Sequence, residues 1–138
     1  MRIGAVAERV GTTTRTIRYY EEIGLLPRAD ERAAGAHRSY DDGDVERLSE
    51  ALRLKHLLGL TLDELKEVLE AEEARAMLRD EWETGNPGAR RRRQILEESL
   101  GHLDRQLALV RRRREDIDRL EEELSDRRKR VRSRLKEL

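Results

Sequence analysis

Four side chains between residues 14 and 19 carry the most distinctive chemistry of this chain: Thr14, Arg15, Arg18 and Tyr19. On a helix, Thr14 pairs with Arg18 and Arg15 with Tyr19 at i, i+4, so the four share one side. That side holds two guanidiniums, a hydroxyl and a phenol, with no aliphatic group among them. Arginine forks suit guanine edges and phosphates, and Thr or Tyr hydroxyls reach backbone or bases. The chemistry is that of nucleic-acid recognition. Catalysis is not expected, because no Gly-rich phosphate loop, nucleophile elbow or carboxylate pair in an apolar setting occurs. There is no Cys, which excludes disulfides and thiolate sites. Of His37, His56 and His102, only His102 has a carboxylate at i, i+4 on an expected helix, Glu98, and such a pair is more often an ordinary surface contact. No metal and no cofactor are expected.

These side chains need a helix to present them, and the flanking residues supply one. Thr12 to Thr14 offer an N-cap, Gly24 stands where a helix C′ residue belongs, and Pro27 stops continuation. Ile17, Tyr20 and Ile23 recur on the opposite side, the side expected to bury; for Tyr20 a core role outweighs a contact role. Ahead of it, Ile3, Val6, Ala7 and Val10 mark a first short helix over 2–10, closed by Gly11. Helices over 2–10 and 13–23 around a Gly turn form a helix-turn-helix pattern, whose second helix enters a major groove. Residues 28–40 have no helical period and centre on Gly35; they read as a small β-hairpin wing, with a plain loop as the alternative. Asp41 and Asp42 then offer caps for a helix to Leu58, with Val45, Leu48 and Leu52 inward and Gly59 at its end. Thr61 and Glu64 make a capping box for a fourth helix, inward through Leu62, Leu65, Val68 and Leu69. The stretch 84–88 is a break.

From Ala89 onward only Gly101 interrupts a long helix. Leu96, Leu103, Val110, Ile117, Leu124, Val131 and Leu138 recur every seven residues, one seam of a coiled coil. The second seam holds Leu100, Leu107 and Leu135 but also Arg114, Glu121 and Arg128. In a parallel pair each of those charges would meet its own copy, so an antiparallel homodimer is expected. One register sets Leu107 near Val110 of the partner and leaves about the last dozen residues overhanging. A solitary helix folded back on helix four is the alternative.

Composition agrees with long exposed helices. Charged residues are 43%, hydrophobic residues 36% and aromatics 3% of 138 residues, too polar for one compact globule. The formal net charge is zero, so any basic footprint is local; the first twenty residues carry +3, from four Arg against Glu8. The basic runs 90–93, 111–114 and 127–130 spread around the helix among acidic residues and read as solvated faces and ion pairs. No apolar run approaches membrane-spanning length, and no signal-like segment opens the chain, so a cytoplasmic location without membrane contact is expected.

The run TIRYYEEIGLLP, with RSY at 38–40 and LGLTLDEL at 58–65, resembles the MerR family of bacterial transcription regulators over roughly the first seventy residues. The resemblance implies a winged helix-turn-helix domain followed by an antiparallel dimerising helix. By it, Arg18 and Tyr19 hold backbone and bases, Arg15 faces the groove, Arg38 grips phosphate and Tyr40 is a buried or backbone-facing aromatic. Where the family often has Gly-Tyr-Arg, this chain has Ala36-His37-Arg38, which puts His37 at a wing contact position.

The expected architecture is therefore mostly α: a winged helix-turn-helix domain over 1–70 with a small β-hairpin wing, a helix end and linker over 71–88, and a coiled-coil helix over 89–138. The expected function is a sequence-specific regulator that binds double-stranded DNA at an inverted repeat and distorts it. RNA polymerase is a candidate partner, by resemblance. Two rivals are an excisionase-like DNA-bending protein and a coiled-coil scaffold whose first domain grips protein. Any small-molecule effector is expected near Met77, Leu78 and Trp82, with a core role for those residues the stronger reading.

Overall fold

The computed structural model describes residues 1–26 and 40–138. It contains five helices: α1 (Ile3–Val10), α2 (Thr14–Glu22), α3 (Asp42–Leu58), α4 (Leu62–Thr84) and α5 (Ala89–Glu137). The chain divides into two units, Met1–Ser99 and Leu100–Leu138.

Local chemistry sets the helix ends in the first unit. Thr13 accepts the Thr16 N–H at 3.1 Å and so caps α2. At its other end Gly24 takes φ +79°, the left-handed conformation a Cβ would oppose. Gly24 N–H then reaches Glu21 O and Leu25 N–H reaches Tyr20 O, the two bonds of a Schellman motif. Two further helix starts are reciprocal boxes: Asp41 with Asp44 opens α3, and Thr61 with Glu64 opens α4. Arg47, bonded to Asp44 at 2.7 Å and to Glu73 at 2.8 Å, ties α3 to α4.

The core lies where α1, α3 and α4 converge with the inner side of α2. Val6, Ile17, Leu48 and Leu65 are its largest fully buried side chains, with Tyr20, Val45, Ala51 and Val68 around them. Packing of α1 on α2 and α3, and of α3 on α4, thus fixes the orientation of α2. Two residues expected inside lie substantially exposed instead, Ile23 at the C-cap of α2 and Leu62 in the first turn of α4. Each sits at a helix end, where neighbouring elements no longer cover the face.

The expected β-hairpin wing is corrected: all five elements are helices, and no strand occurs among the described residues. Of the stretch 28–40, only Tyr40 is described; residues 28–39, with His37 and Arg38, lie outside. Tyr40 is a buried residue immediately ahead of the Asp41 cap, not part of a strand. The stretch has no Val, Ile or Thr, and Tyr40 is its one residue of a type that favours extended pairing.

At the end of α4, Asn86 at φ +46° and Pro87 turn the chain into α5. Arg91 forks both oxygens of Glu81 across that corner, and Ile95 is buried one turn further on. The second unit is helix only. Leu103, Leu107, Val110, Ile117 and Leu124 are all substantially exposed along it. No helix among the described residues is long and apolar enough to cross a membrane.

Candidate nucleic-acid interface

The outer side of α2 borders an open hollow of about 590 Å³ lined by Thr14, Arg15, Thr16, Arg18, Tyr19 and Glu22. The four residues singled out by spacing are thus brought together on one surface. Arg15 and Arg18 are exposed, Thr14 is half-buried, and Tyr19 keeps 46% of its surface open. Half-buried threonines beside two exposed guanidiniums offer donors with no apolar anchor, a surface suited to phosphates and base edges rather than a protein groove. Thr16 and Glu22 also line it, and spacing could have found Glu22, which stands four residues after Arg18. A Glu carboxylate beside arginines can accept from a cytosine amino group.

Beneath that surface, α2 is held by polar contacts that sequence periodicity did not reveal. Lys55, on α3, donates to the Tyr20 hydroxyl at 3.0 Å and lies 5.6 Å from its ring centroid. The Tyr20 ring in turn sits 6.3 Å from that of Tyr19, tilted by 43°. Tyr20 is thus a core residue whose polar tip is occupied. On the neighbouring turn, the Tyr40 hydroxyl donates to the buried Glu21 carboxylate. Tyr40 and Met1 also exchange backbone hydrogen bonds, Tyr40 N–H to Met1 O at 2.7 Å and the Met1 amine to Tyr40 O at 2.8 Å. Tyr40 therefore ties together the start of the chain, the C-terminal turn of α2 and the cap of α3.

The residues suggested for an effector differ in exposure. Leu78 is buried in the core, Met77 next to it is largely exposed, and Trp82 carries the Arg92 guanidinium 4.8 Å from its ring centroid. The Glu81 carboxyl beside them is held below its ordinary value of 4.5, chiefly by its hydrogen bonds from Arg91. Among the described residues no group of three or more His, Asp or Glu is placed to hold a metal, and His102 Nδ1 lies 2.9 Å from Arg105.

Two short helices joined at a Gly turn, the second with a cationic and hydroxylated outer side and a packed inner one, define a helix-turn-helix DNA-binding protein. Comparison with known proteins makes this specific. Residues 1–72 match the family described as MerR HTH family regulatory protein. The HTH-type transcriptional regulator YfmP of Bacillus subtilis is 39% identical over 110 residues, covering 80% of this chain and 77% of that protein. The HTH-type transcriptional activator TipA of Streptomyces coelicolor is 36% identical over 78% of this chain and 38% of its own length. The ZntR homolog of Haemophilus influenzae is 40% identical over 54% of this chain and 53% of its own. No solved structure matches. The chain belongs to the MerR family of helix-turn-helix transcription regulators, which are DNA-binding proteins and not enzymes.

Proposed function

We propose that this chain acts as a homodimer that reads an inverted repeat in double-stranded DNA and controls transcription by distorting the duplex between the half-sites. Each α2 enters a major groove, with Arg15 at base edges, Arg18 and Thr14 on the adjoining backbone and Tyr19 bridging the two. Tyr40 acts from behind, by holding Glu21 and so the pitch of α2. His37 and Arg38 serve as additional backbone contacts. The observation that carries the DNA contact is the outer surface of α2, where every lining side chain is polar or aromatic and none is aliphatic.

Dimerisation rests on α5. A monomer leaves a row of leucines at heptad spacing exposed to water over about 65 Å of helix, which a second copy would cover. The antiparallel orientation follows from Arg114, Glu121 and Arg128, which would meet like charges in a parallel pair. The register sets Leu107 near Val110 of the partner. RNA polymerase is then the partner that reads the altered duplex, and deformation energy contributes to site choice. If an effector acts, its site lies at the α4–α5 corner around Trp82.

Selection from a random-sequence duplex library tests this reading. The expected product is a pair of inverted half-sites, and its complex is expected to migrate anomalously when the site is moved along a fragment of constant length. Enrichment of a single half-site, or of nothing, would overturn it.

A further inference from the structure

The charge of this chain is unevenly placed. Residues 1–99, which include the helix-turn-helix, hold 17 Lys and Arg against 21 Asp and Glu, a net −4. Residues 127–138 hold seven Lys and Arg against one acid, Glu137, a net +6. Since the whole chain is neutral, the other 126 residues together carry −6. A protein that must approach a polyanion thus concentrates its cationic charge far along the sequence from the reading helix.

The three basic runs of α5 also differ in how they are used. In the run 90–93, Arg91 pairs with Glu81 and Glu98, and Arg93 pairs with Glu97. In the run 111–114, Arg113 pairs with Asp116. Among the described residues, none of the seven cations between Arg127 and Lys136 forms an ion pair, and all are exposed. They occupy every side of the helix, including the seam position of Arg128. Over these ten residues the helix rises roughly 14 Å, so one positive charge falls every ~2 Å, close to the one negative charge per ~1.7 Å of duplex.

We infer that the α5 segment 127–138 is a second DNA-contacting surface, one that grips phosphate without reading sequence. It supplies the electrostatic affinity that the acidic first unit lacks, and leaves base discrimination to α2. The inference rests on the DNA-binding reading of the chain, and its partner is the duplex backbone beyond the half-sites. A helix with donors on all sides is suited to this task, because backbone contact requires charge density and not a single oriented face.

The test uses the full chain and a variant with Arg127, Arg128, Arg130, Arg132 and Arg134 all changed to Gln. Affinity is measured against salt, on the selected site within a long duplex and on a random duplex of equal length. Loss of about three phosphate contacts per dimer is expected to flatten the slope of log K against log salt by about 3, and to weaken both duplexes on the order of a hundredfold at 0.1 M salt. The ratio between the two duplexes should stay unchanged. Changing the same five residues to Lys should leave slope and affinity as in the wild type. A triple change of Arg130, Arg132 and Arg134 to Gln covers the case in which the quintuple variant loses helix content.

An unchanged salt slope in the Gln variants overturns the inference. So does an unchanged slope with a lowered oligomer mass, which would assign the segment to the acidic stretch 115–126 of a second copy. Loss of binding to anionic phosphatidylglycerol vesicles with an unchanged DNA slope would assign it to membranes and overturn it equally. Wild-type chain that binds neither duplex refutes the DNA-binding reading itself, and the segment's role with it. Wild-type binding that the Gln changes do not alter refutes the segment's role alone.

Discussion

Placing aspartate at both Leu107 and Val110 should convert the proposed dimer to monomer. The two side chains keep 45% and 42% of their surface open in the single chain. In the proposed register Leu107 of one copy lies by Val110 of the other, so all four side chains of the dimer meet at its centre. Their exposed apolar surface is roughly 60–80 Å² each, and covering it contributes about 1.5–2 kcal/mol per side chain, or about 7 kcal/mol for the four. Four carboxylates brought face to face forfeit that term and add a desolvation cost of several kcal/mol. At 1.4 kcal/mol per tenfold, the apolar term alone raises the dimer Kd about 10⁵-fold, so a nanomolar dimer falls apart at micromolar concentration. Sedimentation velocity at about 10 μM, with circular dichroism to confirm that helix content persists, reads this directly. A variant that retains both its mass and its helix content would refute the register, and retention of mass by a chain with charges along the whole seam would refute the coiled coil.

Further outcomes follow from the first unit. Arg15→Ala should cost about 1–3 kcal/mol on the selected site and relax preference at one base pair, as measured by competition among single-base variants of that site. Arg18→Ala should weaken selected and random duplexes alike and lower the salt slope by about 1 per protomer, or about 2 for the dimer. Tyr40→Phe removes the hydroxyl bonded to Glu21 and should lower stability by about 1.5–3 kcal/mol in urea unfolding, with a matching loss of DNA affinity as α2 loses its support. The Glu81–Arg91 fork gives an acid-sensitive corner. Because the Glu81 carboxyl is depressed when folded, its contribution is present above its ordinary value near 4.5 and is lost as pH falls through the lower folded value. Emission of Trp82, the sole tryptophan, should therefore shift as pH falls below about 4.5 in the wild type and not in Glu81→Gln.

What could be read from the residues was mostly what short-range chemistry decides. The caps at Asp41 and Thr61 and the Schellman turn at Gly24 depend on residues within a few positions of one another, and periodicity placed Ile17, Leu48 and Leu65 inside. The outer surface of α2 was legible for the same reason, since four side chains at i, i+4 spacing need only a helix to bring them together. The misses have a different physical origin. Ile23 and Leu62 obey the helical period yet lie exposed, because burial at a helix end depends on what crosses it. Lys55 on Tyr20 and Tyr40 on Glu21 join residues 35 and 19 positions apart, which no local pattern encodes. Ile95 lies beside the heptad row that begins at Leu96, so the seven-residue period does not mark it, and it is buried. The expected wing was argued from a lack of helical period rather than from strand-forming residues, and an absence of one pattern is not the presence of another. The basic segment at the end of α5 has a run like the two before it, and only the ion pairs made by Arg91, Arg93 and Arg113 set those apart from it.

The central claim is that two copies of this chain place two α2 helices on one inverted repeat. Hydroxyl-radical footprinting of the duplex upstream of its own gene, with the mass of the complex measured in parallel, tests it most directly. The account predicts two chains per duplex and two protected half-sites related by a dyad, centred one helical turn of about 34 Å or a multiple of it apart. Arg15→Ala should weaken both half-sites equally. One chain per duplex, or protection confined to a single half-site, would contradict it.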